Sequence, residues 1–277
     1  MDTSLAILLG KICQYIYKSS DAGLPGLGSP SAKIFHDVSP LPTSFAGVLR
    51  YPDKTVLAFQ GTITKQSVQS VKDWLQNFRA VLVPALGLPG LVHAGFADQL
   101  KLIYEDLLAD LTKGFAPPLY VTGHSQGGAV AALATKALQQ SGITVTAAYT
   151  FAAPRPGDGA FASSVQTPVY RFEYGDDIVP HVPFHGLSLA PLERIPELRD
   201  LIGRISDTLG YVSVGALTYG AGGQPLRVGL SPAEERALQL ARVPGLLTAR
   251  DKLFAHHHMP NYIGMLSGEN VVEPGGR

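Results

Sequence analysis

The chain has 277 residues, 45% of them hydrophobic, with 22 basic and 22 acidic side chains and a formal net charge of zero. This length is sufficient for one large domain or two small ones with a substantial core. Because the charges balance, the chain has no overall positive potential that would attract nucleic acid or an anionic membrane surface. This argues against a polyanionic partner. Cys13 is the only cysteine, so the sequence excludes an internal disulfide and a cysteine-based metal site.

The N-terminal segment does not have the pattern of a secretory signal. Asp2 stands where a basic start is expected, and Lys11 interrupts the apolar run Leu5–Leu9 too early. The apolar residues continue at helical spacing, which predicts an amphipathic helix. No run approaches the ~20 apolar residues of a membrane span. A signal removed before this sequence begins would be compatible with these residues, so both a secreted and a cytoplasmic location stay open.

Strand-like and helix-like segments alternate along most of the chain. Residues 21–43, rich in glycine, proline and serine, are expected to form a loop. The elements predicted after it are a hairpin of Phe45–Arg50 and Thr55–Gln60, helices over Ser67–Phe78 and Ala97–Leu111, a strand over Leu119–Thr122, a helix over Ala129–Gln140, strands over Thr144–Phe151 and Val169–Tyr174, an amphipathic stretch over Leu192–Leu209, a strand over Tyr211–Thr218 and a helix over Ser231–Ala241. This order predicts an α/β protein with a mainly parallel sheet, helices on both faces and a single domain over residues 1–277.

The stretch most informative about function is Gly123-His124-Ser125-Gln126-Gly127-Gly128. A short apolar strand precedes it and an alanine-rich helix follows, which are the surroundings that a G-x-S-x-G nucleophile elbow requires. Such a turn strains the serine backbone and needs small neighbours, because strand and helix pass closely. It also places the hydroxyl beside the positive end of the helix. The motif therefore predicts a nucleophilic Ser125; the alternative is a glycine-rich loop that only turns the chain.

A serine nucleophile needs a base and an orienting acid, which follow it in the order acid, then histidine in proteins with this elbow. Asp176 and Asp177 come directly after the strand Val169–Tyr174, at the edge where α/β sheets place their sites, although a solvated turn would also contain them. The histidines after Ser125 are His181, His185, His256, His257 and His258.

The run His256–His258 contains the main candidates for the base. Adjacent side chains point in different directions, so at most one of the three is expected to face Ser125. The same geometry argues against a three-ligand metal site. His181 follows the acidic pair so closely that it is expected to be a structural neighbour of that loop.

A series of collinear segments resembles the class 3 lipases, the family of fungal triacylglycerol lipases and their bacterial relatives. The matching segments are Phe59-Gln60-Gly61-Thr62, Lys72-Asp73-Trp74-Leu75-Gln76-Asn77-Phe78, Val92-His93-Ala94-Gly95-Phe96, Gly123–Gly127, Thr150–Gly157, Asp177-Ile178-Val179-Pro180-His181 and His257-His258-Met259-Pro260-Asn261-Tyr262. The resemblance implies an α/β-hydrolase fold, with a mainly parallel central sheet, helices on both faces and a helical lid or cap.

The resemblance also assigns roles. It implies that Ser125 is the nucleophile, Asp177 the acid and His257 the base. Asp177 is preferred to Asp176 because it directly precedes Ile-Val-Pro, and the H-x-M-x-x-Y spacing to Tyr262 selects His257.

An oxyanion hole and a lid follow from the same resemblance. The oxyanion hole would use Thr62, through its backbone N–H and hydroxyl, and the backbone N–H of Gln126. Residues 63–80 would form the lid with Trp74, and the alternative is a helix packed permanently on the core. This chain differs from the fungal pattern in three ways. It has extra residues between Thr62 and Trp74, it cannot form the fungal disulfides, and a helical insertion is expected over 184–209.

The function implied is that of a serine carboxylic-ester hydrolase, a triacylglycerol lipase acting through an acyl-enzyme on lipid esters at a lipid–water interface. A phospholipase A1, a feruloyl-type esterase and a catalytically inactive lipase-like binding module are the alternatives. Nothing in the residues demands a metal ion or an organic cofactor.

Overall fold

The computed structural model describes residues 1–17, 31–37, 45–61, 80–183, 210–248 and 254–269. Helices in these ranges are α1 (Thr3–Ile16), α2 (Ala94–Thr112), α3 (Gln126–Gln140), α4 (Gly159–Ser164), α5 (Pro232–Thr248) and α6 (Met259–Ser267), with a 3₁₀ turn over Val179–His181. The strands are β1 (Ser31–His36), β2 (Phe45–Tyr51), β3 (Lys54–Phe59), β4 (Leu82–Val83), β5 (Val92–His93), β6 (Leu119–His124), β7 (Ala147–Phe151), β8 (Gly157–Asp158), β9 (Val169–Tyr174), β10 (Tyr211–Val212), β11 (Ala216–Gly220) and β12 (Arg227–Leu230).

The described strands form one large sheet and one small sheet. The large sheet has eight strands in the order β1-β2-β3-β6-β7-β9-β11-β12. Its central strands β3, β6, β7, β9 and β11 pair in parallel, whereas β1, β2 and β12 join antiparallel at the two edges. The predicted mainly parallel sheet is therefore confirmed. The small sheet is antiparallel in the order β10-β8-β5-β4.

Helices cover both faces of the large sheet, and each face has its own apolar core. On one face α2 and α3 bury their apolar sides in a cluster that includes Leu100, Leu107 and Leu133. On the other, α1 and α6 pack together over a second cluster that includes Ile12 and Tyr262. Parallel strands buried on both faces are consistent with the continuous apolar runs of β6 and β7.

Helix α1 begins and packs as its sequence predicts. The carboxylate of Asp2 accepts a hydrogen bond from the Leu5 N–H at 3.1 Å, which caps the first turn. Cys13 is fully buried, and its Sγ lies 3.3 Å from Thr122 Oγ1 of β6. Burial raises the pKa of this thiol to about 12, so it is protonated and inert. Cys13 is therefore a small core residue, as expected.

Two parts of the predicted element order are wrong. Within the expected loop 21–43, residues 31–36 form the strand β1, because they pair antiparallel with β2 and Lys33 forms an ion pair with Asp110 of α2. The expected strand Tyr211–Thr218 is two short strands: β10 joins the small sheet and β11 the large one. Gly215, at φ +88°, lies in the turn between them, and its missing side chain leaves room for the Val169 carbonyl.

Several predicted segments lie outside the described residues. They are the helix over 67–78, the lid over 63–80 apart from Ala80, and the helical insertion over 184–209. Their structure, and the single domain over residues 1–277, stay predictions. Among the helices of the described ranges, none combines the length and the apolar character needed to cross a membrane.

Candidate active site

The turn from β6 into α3 holds Ser125 in a backbone conformation that few residues adopt. Ser125 has φ 58° and ψ −135°, and the first residue of α3 follows it directly. Its N–H donates to the Phe151 carbonyl of β7 at 2.8 Å, and its carbonyl accepts from the Gly128 N–H at 2.9 Å. A positive φ in a non-glycine residue costs of order 1–3 kcal/mol and persists only when its surroundings impose it. Here the two flanking elements impose it.

Two glycines of the motif are required by close backbone approach. A Cβ on Gly123 would overlap the carbonyl of Gly127 one turn later, and a Cβ on Gly127 would overlap the carbonyl of Phe59 at the end of β3. Backbone atoms on both sides leave no room for a methyl group. The elbow and the end of β3 are therefore in close backbone contact, as the motif predicts.

Asp177 lies in the turn after β9, where it is fully buried. Its Oδ1 accepts from the Val179 N–H at 2.9 Å, and its Oδ2 accepts from the Tyr262 hydroxyl at 2.6 Å. Burial, together with the nearby Asp177 charge, raises the pKa of Tyr262 well above its ordinary value, so the phenol keeps its proton and donates. These bonds fix the direction in which the carboxylate points.

His257 joins this carboxylate to Ser125. Its Nδ1 lies 2.9 Å from Asp177 Oδ2 and 3.2 Å from Oδ1, and its Nε2 lies 2.9 Å from Ser125 Oγ. An ionised carboxylate can only accept, so Nδ1 carries the proton and Nε2 accepts from the serine hydroxyl. Chemically, this arrangement can move the Ser125 proton to His257 while Asp177 stabilises the resulting imidazolium.

The neighbouring candidates point elsewhere. Asp176 donates its backbone N–H to His256 Nδ1 at 2.8 Å, so this pair links the acid turn to the histidine segment through the backbone. His258 is half-buried and forms the N-cap of α6, with its pKa lowered by burial and by the charge of His257. His181 Nε2 lies 3.7 Å from a carboxylate oxygen of Glu173, which places it beside the acid loop, as expected.

His124 contacts His257, Tyr262 contacts Asp177 and Tyr17 contacts His124, although the sequence analysis assigned none of the three a role. His124 Nε2 lies 2.8 Å from the His257 carbonyl, and its Nδ1 lies 3.0 Å from the Tyr17 hydroxyl. Burial, and next the charge of His257, lower the pKa of His124 to about 3, so this ring is neutral at ordinary pH. His124 and Tyr262 lie inside motifs that the sequence analysis used, so their place in those motifs could have indicated a role at the site. Tyr17 has no local signal.

Of the two predicted sides of the oxyanion hole, the structure describes the Gln126 side. Gln126 is the first residue of α3, directly after Ser125, where helix N–H groups point toward the N-terminus. Gly61 ends the described part of the opposite segment, and a Cβ there would lie 2.8 Å from the His124 carbonyl oxygen. Thr62 and Trp74 lie outside the described residues, so their roles stay predictions.

In the part of the chain that the structure describes, no group of three or more His, Cys, Asp and Glu side chains is arranged to hold a metal ion.

Solved structures with similar folds are fungal lipases. The structure of Rhizomucor miehei triacylglyceride lipase matches with a TM-score of 0.63 at 22% identity, over 85% of this chain and 88% of that one. Lipase II from Rhizopus niveus matches with a TM-score of 0.60 at 23% identity, over 83% and 84% of the two chains. At this level of identity the likeness concerns the fold, and the large sheet with its helices is an α/β-hydrolase fold.

Curated relatives are similar in sequence over the central part of the chain. A secreted mono- and diacylglycerol lipase A from Penicillium cyclopium is 34% identical over 149 residues, which are 51% of this chain and 46% of the relative. A lipase from Rhizomucor miehei is 34% identical over 144 residues, 47% of this chain and 38% of the relative. The chain thus spans less than half the length of these relatives.

The family model for lipase (class 3) matches residues 56–187, which include most of β3, the elbow and the acid turn. The collinear motifs, the fold and the matched sequence all indicate the same family. Over these residues the chain is similar to the class 3 lipases.

Proposed function

We propose that this protein is a serine carboxylic-ester hydrolase, a triacylglycerol lipase that works through an acyl-enzyme. The observation that carries the proposal is the continuous line of contacts from Ser125 through His257 to Asp177, each 2.9 Å long. Ser125 is the proposed nucleophile, His257 the base and Asp177 the acid that orients it.

In the first half of the reaction, Ser125 Oγ would attack the ester carbonyl while His257 Nε2 takes its proton. The carbonyl oxygen then becomes an oxyanion, for which the backbone N–H of Gln126 and the groups of Thr62 are the proposed donors. Losing one such donor typically costs about 3–4 kcal/mol of transition-state stabilisation. Collapse of the tetrahedral intermediate breaks the ester C–O bond, and His257 returns the proton to the leaving alcohol. The product is an acyl group on Ser125.

In the second half, water would attack the acyl-enzyme in the same way. His257 accepts a proton from the water as its oxygen bonds to the acyl carbon, then protonates Ser125 Oγ as the fatty acid leaves. Asp177 accepts from His257 Nδ1 and stabilises the imidazolium in both halves. The enzyme returns to its starting protonation state.

A lipid substrate is supported by the relatives. Their names state mono- and diacylglycerol lipase activity or lipase activity, which are reactions on acylglycerol esters. For this chain we propose triacylglycerols, with residues 63–80 and Trp74 as a lid that opens against lipid. Turnover should then rise disproportionately once substrate exceeds its solubility limit, and Trp74→Ala should weaken that rise. A smooth saturation curve through the limit, the same in both proteins, would remove the lid from the proposal.

The nucleophile is tested by the variant Ser125→Ala. It should lose p-nitrophenyl ester turnover by about 10⁶-fold, and only the wild type should form a stoichiometric adduct with an organophosphonate. Ser267→Ala is a matched control, because within the described residues Ser267 Oγ donates to the Gly264 carbonyl of its own helix. Labelling at a residue other than Ser125, or no turnover and no adduct in the wild type, would contradict the proposal.

The substrate class is tested by an acyl-chain series presented as soluble esters, emulsified triacylglycerols and phospholipid. Higher kcat/KM on emulsified triacylglycerols supports a lipase. A preference for phospholipid would replace this assignment with a phospholipase A1, and activity on soluble esters alone would replace it with an esterase.

A further inference from the structure

A line of contacts joins Gln60 and Gly61, the described end of the predicted oxyanion segment, to the backbone of His257 without passing through the triad side chains. The hydroxyl of Tyr17, directly after α1, lies against Gly61, because a Cβ there would overlap it. Its hydroxyl lies 3.0 Å from His124 Nδ1, and His124 Nε2 lies 2.8 Å from the carbonyl of His257. Four segments far apart in the sequence therefore meet in one chain of contacts.

The chemistry of the groups gives this line a single direction. The His257 carbonyl can only accept, so His124 Nε2 must carry the ring proton. Because the ring is neutral, Nδ1 then has only a lone pair and accepts from the Tyr17 hydroxyl. The contacts on the two sides of the ring therefore fix one tautomer of His124.

The ring of His124 also lies against the base itself. The two imidazole centroids are 4.7 Å apart with an interplanar angle of 35°. When His257 takes the proton from Ser125, a second positive charge at this distance would oppose it. A neutral His124, held in one tautomer, keeps the position beside the base uncharged while its N–H holds the base backbone.

The end of α1 contacts the oxyanion segment at a second point. Gln60 Nε2 donates to the Ile16 carbonyl at 2.8 Å, one residue before the Tyr17–Gly61 contact. A side chain on Gly61 would overlap the Tyr17 hydroxyl. The end of α1 and the end of β3 therefore fit closely together.

We propose that Tyr17 and His124 are positioning residues that hold the oxyanion segment and the backbone of His257 in register around Ser125. Neither touches the reacting atoms, and their effect on turnover rests on the proposed ester-hydrolase function. The hydrogen-bond line itself can be measured independently of that function.

The kinetic test uses Tyr17→Phe, which removes one hydroxyl and conserves the ring. We expect kcat on a soluble p-nitrophenyl ester to fall by about 10- to 100-fold, with KM nearly unchanged, because substrate contacts are left in place. Tyr104→Phe is the matched control: it removes a tyrosine hydroxyl that contacts Ser141 Oγ at 2.9 Å, away from the triad. This control should retain wild-type kcat.

His124 is tested by a pair of variants. His124→Gln conserves an N–H donor for the His257 carbonyl, whereas His124→Phe conserves only ring volume. Higher kcat in His124→Gln than in His124→Phe supports the positioning role. Equal kcat in the two, with both folded, would overturn it.

The spectroscopic test is nitrogen-15 NMR of the histidine rings in Ser125→Ala, alone and combined with Tyr17→Phe. The proposal expects a His124 ring protonated at Nε2 in both proteins, and a changed Nδ1 chemical shift once the Tyr17 hydroxyl that donates to it is removed. An unchanged Nδ1 shift, together with wild-type kcat in Tyr17→Phe, would overturn the inference. If the wild type lacks esterase activity but the Nδ1 shift responds, the proposed function fails while the line of contacts stands.

Discussion

The nucleophile elbow, Gly123–Gly128, and the base segment, Phe254–Tyr262, meet at the 2.9 Å contact between Ser125 and His257 but are held in different ways. The elbow is shaped by the two elements that enter and leave it and by glycines that permit their close approach. The base segment is positioned by groups remote in sequence: the Asp177 carboxylate, the Asp176 N–H and the His124 ring. Changes in the elbow should therefore impair folding and activity together, whereas changes around the base should impair activity more than stability.

Among the variants that test this comparison, the largest effect is expected for Asp177→Asn, which removes the acid that orients His257 without changing the elbow. The amide can present its NH₂ group to His257 and stabilise the wrong tautomer, so kcat should fall by about 10⁴-fold. Thermal unfolding should change far less than turnover. Asp176→Asn is the control, because Asp176 contacts His256 through its backbone N–H. Near-normal kcat in Asp177→Asn would contradict both the acid role and the comparison.

In the elbow, Gly123→Ala should reduce stability and activity together. The new methyl group would overlap the backbone carbonyl of Gly127, which cannot move without breaking the turn. We expect the free energy of unfolding to fall by about 3 kcal/mol or more, measured by urea denaturation. Gly159→Ala serves as the control, since the nearest atom to its Cβ would lie 3.9 Å away, at Val212. Wild-type stability in Gly123→Ala would show that the elbow tolerates a side chain.

The residue that joins the two regions, His124, should make stability depend on acid pH. Burial lowers its pKa to about 3 from an ordinary 6.5, so between these values the unfolded chain binds a proton that the folded protein excludes. Stability is therefore lost as pH falls below about 6.5, by about 2 kcal/mol down to pH 5. Replacing the ring by His124→Gln should remove this part of the slope of unfolding free energy against pH. His258→Gln should remove less, because His258 is only half-buried. Equal slopes in the wild type and His124→Gln would contradict the prediction.

The smallest effect is expected for Tyr262→Phe. This variant removes the hydroxyl that donates to Asp177 Oδ2 at 2.6 Å, while the Val179 N–H still holds Oδ1. The loss of one hydrogen bond to a charged group costs about 1.5–3 kcal/mol, part of which should be seen as a decrease in kcat of about tenfold. Tyr104→Phe is again the control. A larger loss than in Asp177→Asn would reverse the order of importance within the base segment.

The sequence predicted the parts of the fold that contiguous residues encode. The alternation of strand-like and helix-like segments predicted a mainly parallel sheet, and the glycines around Ser125 predicted the elbow. Strand β1 could not be found in this way, because most of its residues are exposed and its strand character comes from pairing with β2. The strand-like stretch 211–218 was likewise predicted as one strand, although its two halves pair in different sheets.

For the candidate site, the sequence by itself determined a strained serine at the end of a strand, an acidic pair after another strand, and a run of histidines. The family resemblance then selected Asp177 and His257 from their neighbours. Only the tertiary structure decided that the Asp176 N–H bonds to His256, and that Tyr262 supports Asp177. It also decided that His124 contacts the His257 carbonyl, and that Tyr17 contacts His124. The physical reason is that an elbow is made by adjacent residues, whose spacing is visible in the sequence. Hydrogen bonds between residues more than 80 positions apart exist only once the sheet has brought its strand ends together.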